Sequence, residues 1–274
     1  MSQTELTIET PIEACANCTA VLMGAHCHEC GQKKIHQNEF ALKRFFTQVV
    51  GDITDIESSK VFKTLRAMFT KPGLLATEYV AGRRSNYIGP IKLYLTFSAL
   101  YFLFAWGALA EIRGGATDRT AKVPMVVNVA RKRNVDPAVL ADKVHQKAEK
   151  YATAFRFFSV LISGTFLAAF YFRMKKYYVE HLVFSLYYYS FDFFCKSAFA
   201  LLFIVVAALG WKLPEQVLNL FYPIALAYLL LALKRVYKQK WLITTVKAVP
   251  LFICEWILFI AINMAGFIIG FATM

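Results

Sequence analysis

Acidic residues are scarce in this sequence: 18 Asp and Glu stand against 31 Lys and Arg in 274 residues, a formal net charge of +13. Several function signatures are missing as well. There is no glycine-rich phosphate loop, no nucleophile–base motif and no catalytic metal-ligand pattern, so the residues give no ground for an enzyme. Neither end carries a lipidation motif. No internal repeat and no low-complexity tract stands out. The stretch Met1–Glu13 has neither the basic start nor the apolar core of a secretory leader, and the N-terminal head is expected to stay in the cytosol.

What is abundant is apolar surface. Hydrophobic residues make up 58% of the chain and aromatics 16%, whereas a soluble domain is usually about 45–50% apolar. The excess is concentrated after the first ninety residues, which is the pattern of a membrane domain behind a soluble head. The basic residues sit mostly beside apolar segments. That placement points to anionic lipid headgroups rather than nucleic acid as the partner of the charge.

The fold class read from this pattern is all-α: a multi-pass transmembrane helix bundle of about five spans, with a small N-terminal zinc knuckle and amphipathic interfacial helices. The expected divisions are a flexible tail (1–14), the knuckle (15–36), cytosolic amphipathic helices (37–90) and the membrane domain (91–274). Apolar residues at Phe45, Val49, Ile53 and Ile56, then Val61, Leu65 and Met68, suit two helices broken near Glu57-Ser58-Ser59. Such helices either lie on the inner membrane surface or pack on the membrane domain. A helix should restart near Leu74 after Lys71-Pro72-Gly73. The stretch Gly82–Pro90 forms a turn in which Arg83, Arg84 and Tyr87, with Lys92 just beyond, occupy the headgroup layer.

The expected spans are Ile91–Ala110, Ala154–Phe172, Leu182–Leu209, Val217–Leu233 and a fifth within Leu242–Phe271. Asp136-Pro137 reads as an N-cap and a first-turn proline whose helix runs on into the second span. With the N-terminus inside and the C-terminus outside, the basic turns Arg173–Lys176 and Lys234–Lys240 face the cytosol. The polar loop 111–150, with Arg131-Lys132-Arg133, then lies outside, against the same rule.

Four cysteines carry the strongest chemical signal. Cys15-x-x-Cys18 and Cys27-x-x-Cys30 offer two thiolates each from a short turn, enough for a tetrahedral cage around a structural Zn²⁺. A segment this short buries no core and needs the metal to fold. Disulfides are the rival reading, disfavoured in the cytosol. His26, His28 and His36 are spare ligands. Cys195 and Cys254 read as buried apolar residues.

In the third span, His181, Ser185, Tyr188, Asp192 and Lys196 recur every three or four residues and share one helical face. Asp192, near mid-bilayer, has Lys196 one turn on and the Tyr188 hydroxyl one turn back as candidate partners. Glu255 is a second acid at depth in the fifth span. The face is either a hydrated pathway or a seam that fixes helix packing. Glu180 and His181 at the inner rim form a weaker catalytic reading.

Cys15–Gln32 ending Cys-x-x-Cys-Gly-Gln, then Lys71-Pro72-Gly73, Tyr79–Arg84, Tyr87-x-x-Pro90 and Glu180–Phe184, together resemble a bacterial membrane family of unknown function numbered 3667. The resemblance implies a bacterial inner-membrane protein with a zinc knuckle and supplies no activity. Where that family carries histidines this chain has Tyr187–Tyr189, so no histidine-based metal or redox role comes with it. The reading that follows is a membrane scaffold or accessory protein that recruits a protein partner of unknown identity. The alternative is a small transporter or lipid-handling protein built on the third-span polar face. The sequence allows an oligomer. Metal analysis of the purified protein is expected to find close to one zinc per chain, and Cys27→Ser/Cys30→Ser to lose it; unchanged zinc in that variant would refute the ligand set.

Overall fold

The computed structural model describes residues 13–34, 58–211 and 220–273. The N-terminal tail, His36, the first amphipathic segment through Ile56 and the turn 212–216 lie outside the described residues. Two short helices, α1 (Ser58–Thr70) and α2 (Leu74–Val80), precede α3 (Pro90–Ala121), α4 (Pro124–Arg133), α5 (Pro137–Phe170), α6 (Tyr178–Ala208), α7 (Phe221–Tyr237) and α8 (Trp241–Ala272). The β-structure among the described residues is two isolated bridges, both in the cysteine segment.

Local chemistry sets these boundaries. Helices α3, α4 and α5 all open on proline, whose fixed φ suits the first turn and whose missing N–H costs nothing there. Asp136 caps α5 by accepting from the Ala138 amide at 2.7 Å. That helix continues without a break to Phe170, as its sequence pattern predicts. Asn134, Lys175 and Lys238 end their elements in the left-handed conformation. The stretch 111–150, expected as a polar loop, is instead helical: α3 runs on to Ala121, and each proline then restarts a helix. Polarity was read as irregular structure there, but charged residues extend a helix well when it leaves an apolar layer.

Helices α3 and α6 run the same way and pack side by side, with α5 antiparallel to both. Tyr94 of α3 stacks on Phe157 and Phe193, and its hydroxyl donates to the Phe157 carbonyl at 2.6 Å. Helix α8 lies antiparallel along α5, and the two backbones nearly touch. A Cβ on Gly266 would sit 2.6 Å from the Ala148 carbonyl oxygen, and one on Gly270 3.0 Å from the Ala148 nitrogen. Gly266-x-x-x-Gly270 against Ala148-x-x-x-Ala152 is a small-residue seam of the kind that joins helices in lipid.

The turn 171–177, the turn 238–240 and the loop before α2 gather at one end of the bundle. Gln239 reaches the Met174 sulfur at 3.7 Å, and Arg235 donates to the Pro72 carbonyl at 2.5 Å. Helix α1 packs inward through Thr64, Ala67 and Met68, and Phe69 meets Phe191 and Phe194 edge-on, while Phe62 stays exposed.

Three helices, α5, α6 and α8, are long and apolar enough to cross a membrane. The apolar stretch described in α3 is shorter, Pro90–Phe104, and α7 has 17 residues, about 26 Å of rise. Exposed Phe158, Ile162, Leu202, Val246, Ile257, Ile260 and Ile268 coat these helices with apolar surface that suits hydrocarbon rather than water. Placing any side chain at Gly266 forces α5 and α8 apart. Gly266→Leu is expected to cost about 1–3 kcal/mol in thermal unfolding of the purified protein. Gly89→Ala, which meets open space, is expected to stay within about 1 kcal/mol of the parent. Equal melting temperatures for the two would show that the seam is not tight.

Candidate metal centre and a charged cavity

The four cysteine sulfurs lie within 4.8 Å of one another, Cys15 to Cys30 at 3.6 Å and Cys18 to Cys27 at 3.4 Å. Thiolates around one tetrahedral ion with metal–sulfur bonds of about 2.3 Å would be about 3.8 Å apart. The donor set therefore fits a metal ion, with all four positions taken by protein. All four thiols are free of disulfides. The Cys18 amide, directed at the Cys15 sulfur, brings that thiol down to about 7, while at Cys18 the Ala20 amide is outweighed by the crowded thiols, which push that one up to about 12, as sulfurs sharing one site without a cation do.

The two halves repeat at a spacing of twelve residues, which the sequence alone did not reveal. The amide of Cys15 donates to the Ala20 carbonyl, and that of Cys27 to the Gln32 carbonyl; Thr19 donates to Cys15, and Gly31 to Cys27. Bridges Ala14–Val21 and His26–Lys33 close each half. Thr19 and Gly31 occupy the same left-handed position, at φ 65° and 69°. Glycine adopts it freely and a β-branched threonine does so under strain.

The knuckle does not hang free. Gln32, buried, inserts its amide into the turn after α2. It donates to the Gly82 carbonyl at 2.7 Å and accepts from the backbone amides of Arg84 and Ser85 at 2.9 and 3.1 Å. Ser85 donates to the Cys30 carbonyl at 2.9 Å, and Asn86 meets Asn17 at 3.2 Å. The same turn is fixed to the bundle through Ile88, whose amide donates to Thr64 and whose carbonyl accepts from Tyr187 at 2.9 Å. Arg83 makes a two-pronged pair with Glu78 at 2.5 and 2.6 Å, holding that carboxyl below its usual range. Arg84 lies over the Tyr79 ring at 4.3 Å. Tyr87 packs, half-buried, against the core, and Lys92 is half-buried one turn into α3.

The expected polar face of α6 divides into two places. His181 is buried and meets the Tyr237 hydroxyl at 2.6 Å, with Tyr237 stacked on Tyr171 at 3.7 Å. Ser185 turns back to the His181 carbonyl and to Ser163. These two are packing contacts at the knuckle end. Glu180 accepts from the Tyr177 amide at 3.1 Å and pairs with Lys176, which is helix-capping geometry. Tyr188, Asp192 and Lys196, by contrast, line a half-open cavity of about 100 Å³ together with Glu255 of α8 and Arg156 of α5. Lys196 pairs with Asp192 at 2.7 Å. No hydrogen bond joins the Tyr188 hydroxyl to Asp192, so the expected second partner is not there; Tyr188 instead stacks with Phe184. Tyr189 donates to Glu255 at 2.5 Å.

Arg156 and Tyr189 were missed by sequence reading. Arg156 was placed at the edge of a span; in the unbroken helix it lies fourteen residues before Phe170. Asp192 and Glu255 each lie fourteen residues past the first residues of their helices, Tyr178 and Trp241. All three are thus about 21 Å along from the knuckle end.

Residues 58–102 match the profile of a family described as a protein of unknown function (DUF3667), the family that the chain's motifs resemble. The matched stretch covers α1, α2, the turn that receives Gln32 and the start of α3. No curated protein matches the chain, and no solved structure does. Gln32→Ala is expected to leave the metal bound while the Arg84 and Ser85 amides exchange hydrogen about two- to tenfold faster, since each loses a bond worth about 0.5–1.5 kcal/mol. Unchanged exchange at both amides would show that the turn holds itself.

Proposed function

We propose that this is a multi-pass inner-membrane protein that handles a polar-headed solute or lipid in an intramembrane cavity, with its zinc knuckle serving as a fixed cytosolic cap. The observation that carries the reading is the cavity itself. Four ionisable side chains, Arg156, Asp192, Lys196 and Glu255, converge midway along apolar helices around a space large enough for several waters. Charge at bilayer depth is costly and commonly marks a pathway or a binding site. A packing seam alone would close over such groups and leave no opening.

In this reading α3 and α7 complete the bundle as fourth and fifth spans, with tilt and flanking residues meeting the shortfall in length. The alternation of direction among α5 to α8 puts both basic turns and the knuckle at one end. The positive-inside rule makes that end cytosolic. The metal is zinc, on the chemistry of four thiolates with no open position, and its role is structural rather than catalytic. Tyr188 lines the charged cavity and also a small void toward Lys71 and Gly73. Its ring is the partition between the cavity and the cytosolic rim. No enzymatic step is assigned to any of these residues. Anionic headgroups around the basic turns are the expected lipid partners.

The scaffold reading keeps one observation in its favour: Val21 and Met23 project from the knuckle, 48% and 86% exposed, and offer a small apolar contact for a protein partner. The clamp by Gln32 supports the cap instead, because it engages the Gly-Gln end of the cysteine segment with the chain's own turn. Ala225 lines the cavity and is buried, which makes it a reporter. In a protein lacking the other membrane-domain thiols (Cys195→Ser/Cys254→Ser), Ala225→Cys is expected to react with a small water-soluble thiosulfonate in the folded, reconstituted state. An unreactive thiol would mean a sealed seam and would overturn the cavity reading.

A further inference from the structure

The four charges of the cavity are not equally compensated. Lys196 and Asp192 neutralise each other at 2.7 Å. Arg156 does not have a carboxylate. Its two terminal nitrogens donate to the Tyr101 hydroxyl at 2.8 Å and to the Asn263 side-chain oxygen at 2.7 Å, both neutral, and its Nε is buried with no partner. Glu255 likewise has no cation: its hydrogen-bond partner is the Tyr189 hydroxyl. Among the described residues the cavity therefore presents one guanidinium and one carboxyl group, each held in place by neutral side chains and each lacking an opposite charge in contact.

The rim adds a second constraint. The most exposed lining residues are Tyr222 of α7 and Trp256 of α8, at 40% and 49%. Neighbouring Ile253, Ile257 and Ile260 make that surface apolar. An occupant entering there comes with its apolar part in contact with hydrocarbon. A head bearing a single sign would leave either Arg156 or Glu255 without a counterpart, which is costly in a low-dielectric site. A head that bears both signs avoids it.

We propose, building on the reading of this cavity as a binding site, that it takes the head of a zwitterionic amphiphile. The acidic group, a phosphate or carboxylate, meets the Arg156 guanidinium, whose Nε has no partner of its own. The ammonium meets Glu255, within the ring-lined wall where Phe221 and Phe259 already flank the Lys196 ammonium at 5.2 and 5.7 Å. The tails leave between Tyr222 and Trp256. Arg156 and Glu255 are binding residues here; no bond is made or broken.

The test is competitive retention by the full-length protein in detergent. Equal mole fractions of phosphatidylethanolamine, phosphatidylglycerol and an alkyltrimethylammonium amphiphile are supplied, and bound species are read by native mass spectrometry. The wild type is expected to retain phosphatidylethanolamine at least about tenfold over either singly charged competitor. Glu255→Gln removes the acid that meets the ammonium, leaves the Arg156 guanidinium in place, and is expected to switch retention to phosphatidylglycerol. Arg156→Gln is expected to switch it to the cationic amphiphile. Equal retention of all three by the wild type, or a Glu255→Gln protein that folds and keeps the parent's preference, overturns the proposal. If the variants do not fold, the wild-type competition decides it alone. Soluble phosphoethanolamine is run in parallel; displacement of the lipid by it at equal concentration would overturn the requirement for an amphiphile. Retention of the wrong class overturns this inference and leaves the cavity reading standing, whereas failure of Ala225→Cys to react removes both.

Discussion

The constraint on which the rest of this molecule depends is the cost of charge between apolar helices. A side-chain charge at the centre of a membrane helix costs about 2.5–3.5 kcal/mol on insertion scales. The chain meets that cost in three different ways at one level of the bundle. Lys196 answers Asp192 along a single helix. Arg156 is met by hydroxyl and amide oxygens from two other helices, α3 and α8. Glu255 is met by a tyrosine from α6. Two of these solutions are interhelical, so the polar groups also dictate which helices must be neighbours. The glycine–alanine seam between α5 and α8 is what lets them be: with the backbones held so close, Arg156 and Asn263 come into reach of each other.

Some of this was legible in the sequence and some was not, for physical reasons. Proline at the first turn fixed where α3 and α5 begin, because its constraint is local. The paired Cys-x-x-Cys turns announced a four-sulfur cluster, because ligand spacing within a turn is set by covalent geometry. The regular spacing from His181 to Lys196 groups those residues along one side of a helix. It could not say that the first two would be absorbed by Tyr237 and Ser163 while the last three faced an opening, because that depends on which helix lies opposite at each level. Arg156 escaped notice for the same kind of reason: the continuous helix from Pro137 was legible, but that Arg156 lies level with Asp192 and Glu255 depends on how α5, α6 and α8 align. The twelve-residue repeat of the knuckle escaped because it is a repeat of hydrogen bonds, with Thr19 standing where Gly31 stands and little side-chain identity between the halves.

The segment that matches a known family profile is not the cysteine segment but the surface that receives it. That surface is read through its backbone: Gln32 contacts a carbonyl and two amides of the turn, and Tyr187 a second carbonyl close by. Side chains on the turn are then free to serve elsewhere, Arg83 with Glu78 and Arg84 with Tyr79. The headgroup layer and the knuckle thus draw on different atoms of the same few residues.

The clamp also has a consequence for biogenesis. Gln32 and its acceptor at Gly82 are separated by 50 residues of chain. A ribosome releases the cysteine segment well before the turn, and before α3 has entered any bilayer. The knuckle can therefore acquire its metal and close while it is still a tethered bead with no surface to sit on. It docks only once the turn has been anchored by Thr64 and Tyr187, and Tyr187 belongs to a helix made much later still. Docking of the knuckle thus draws on contacts from parts of the chain far apart in sequence, and a docked knuckle reports that α6 has reached its place beside the turn.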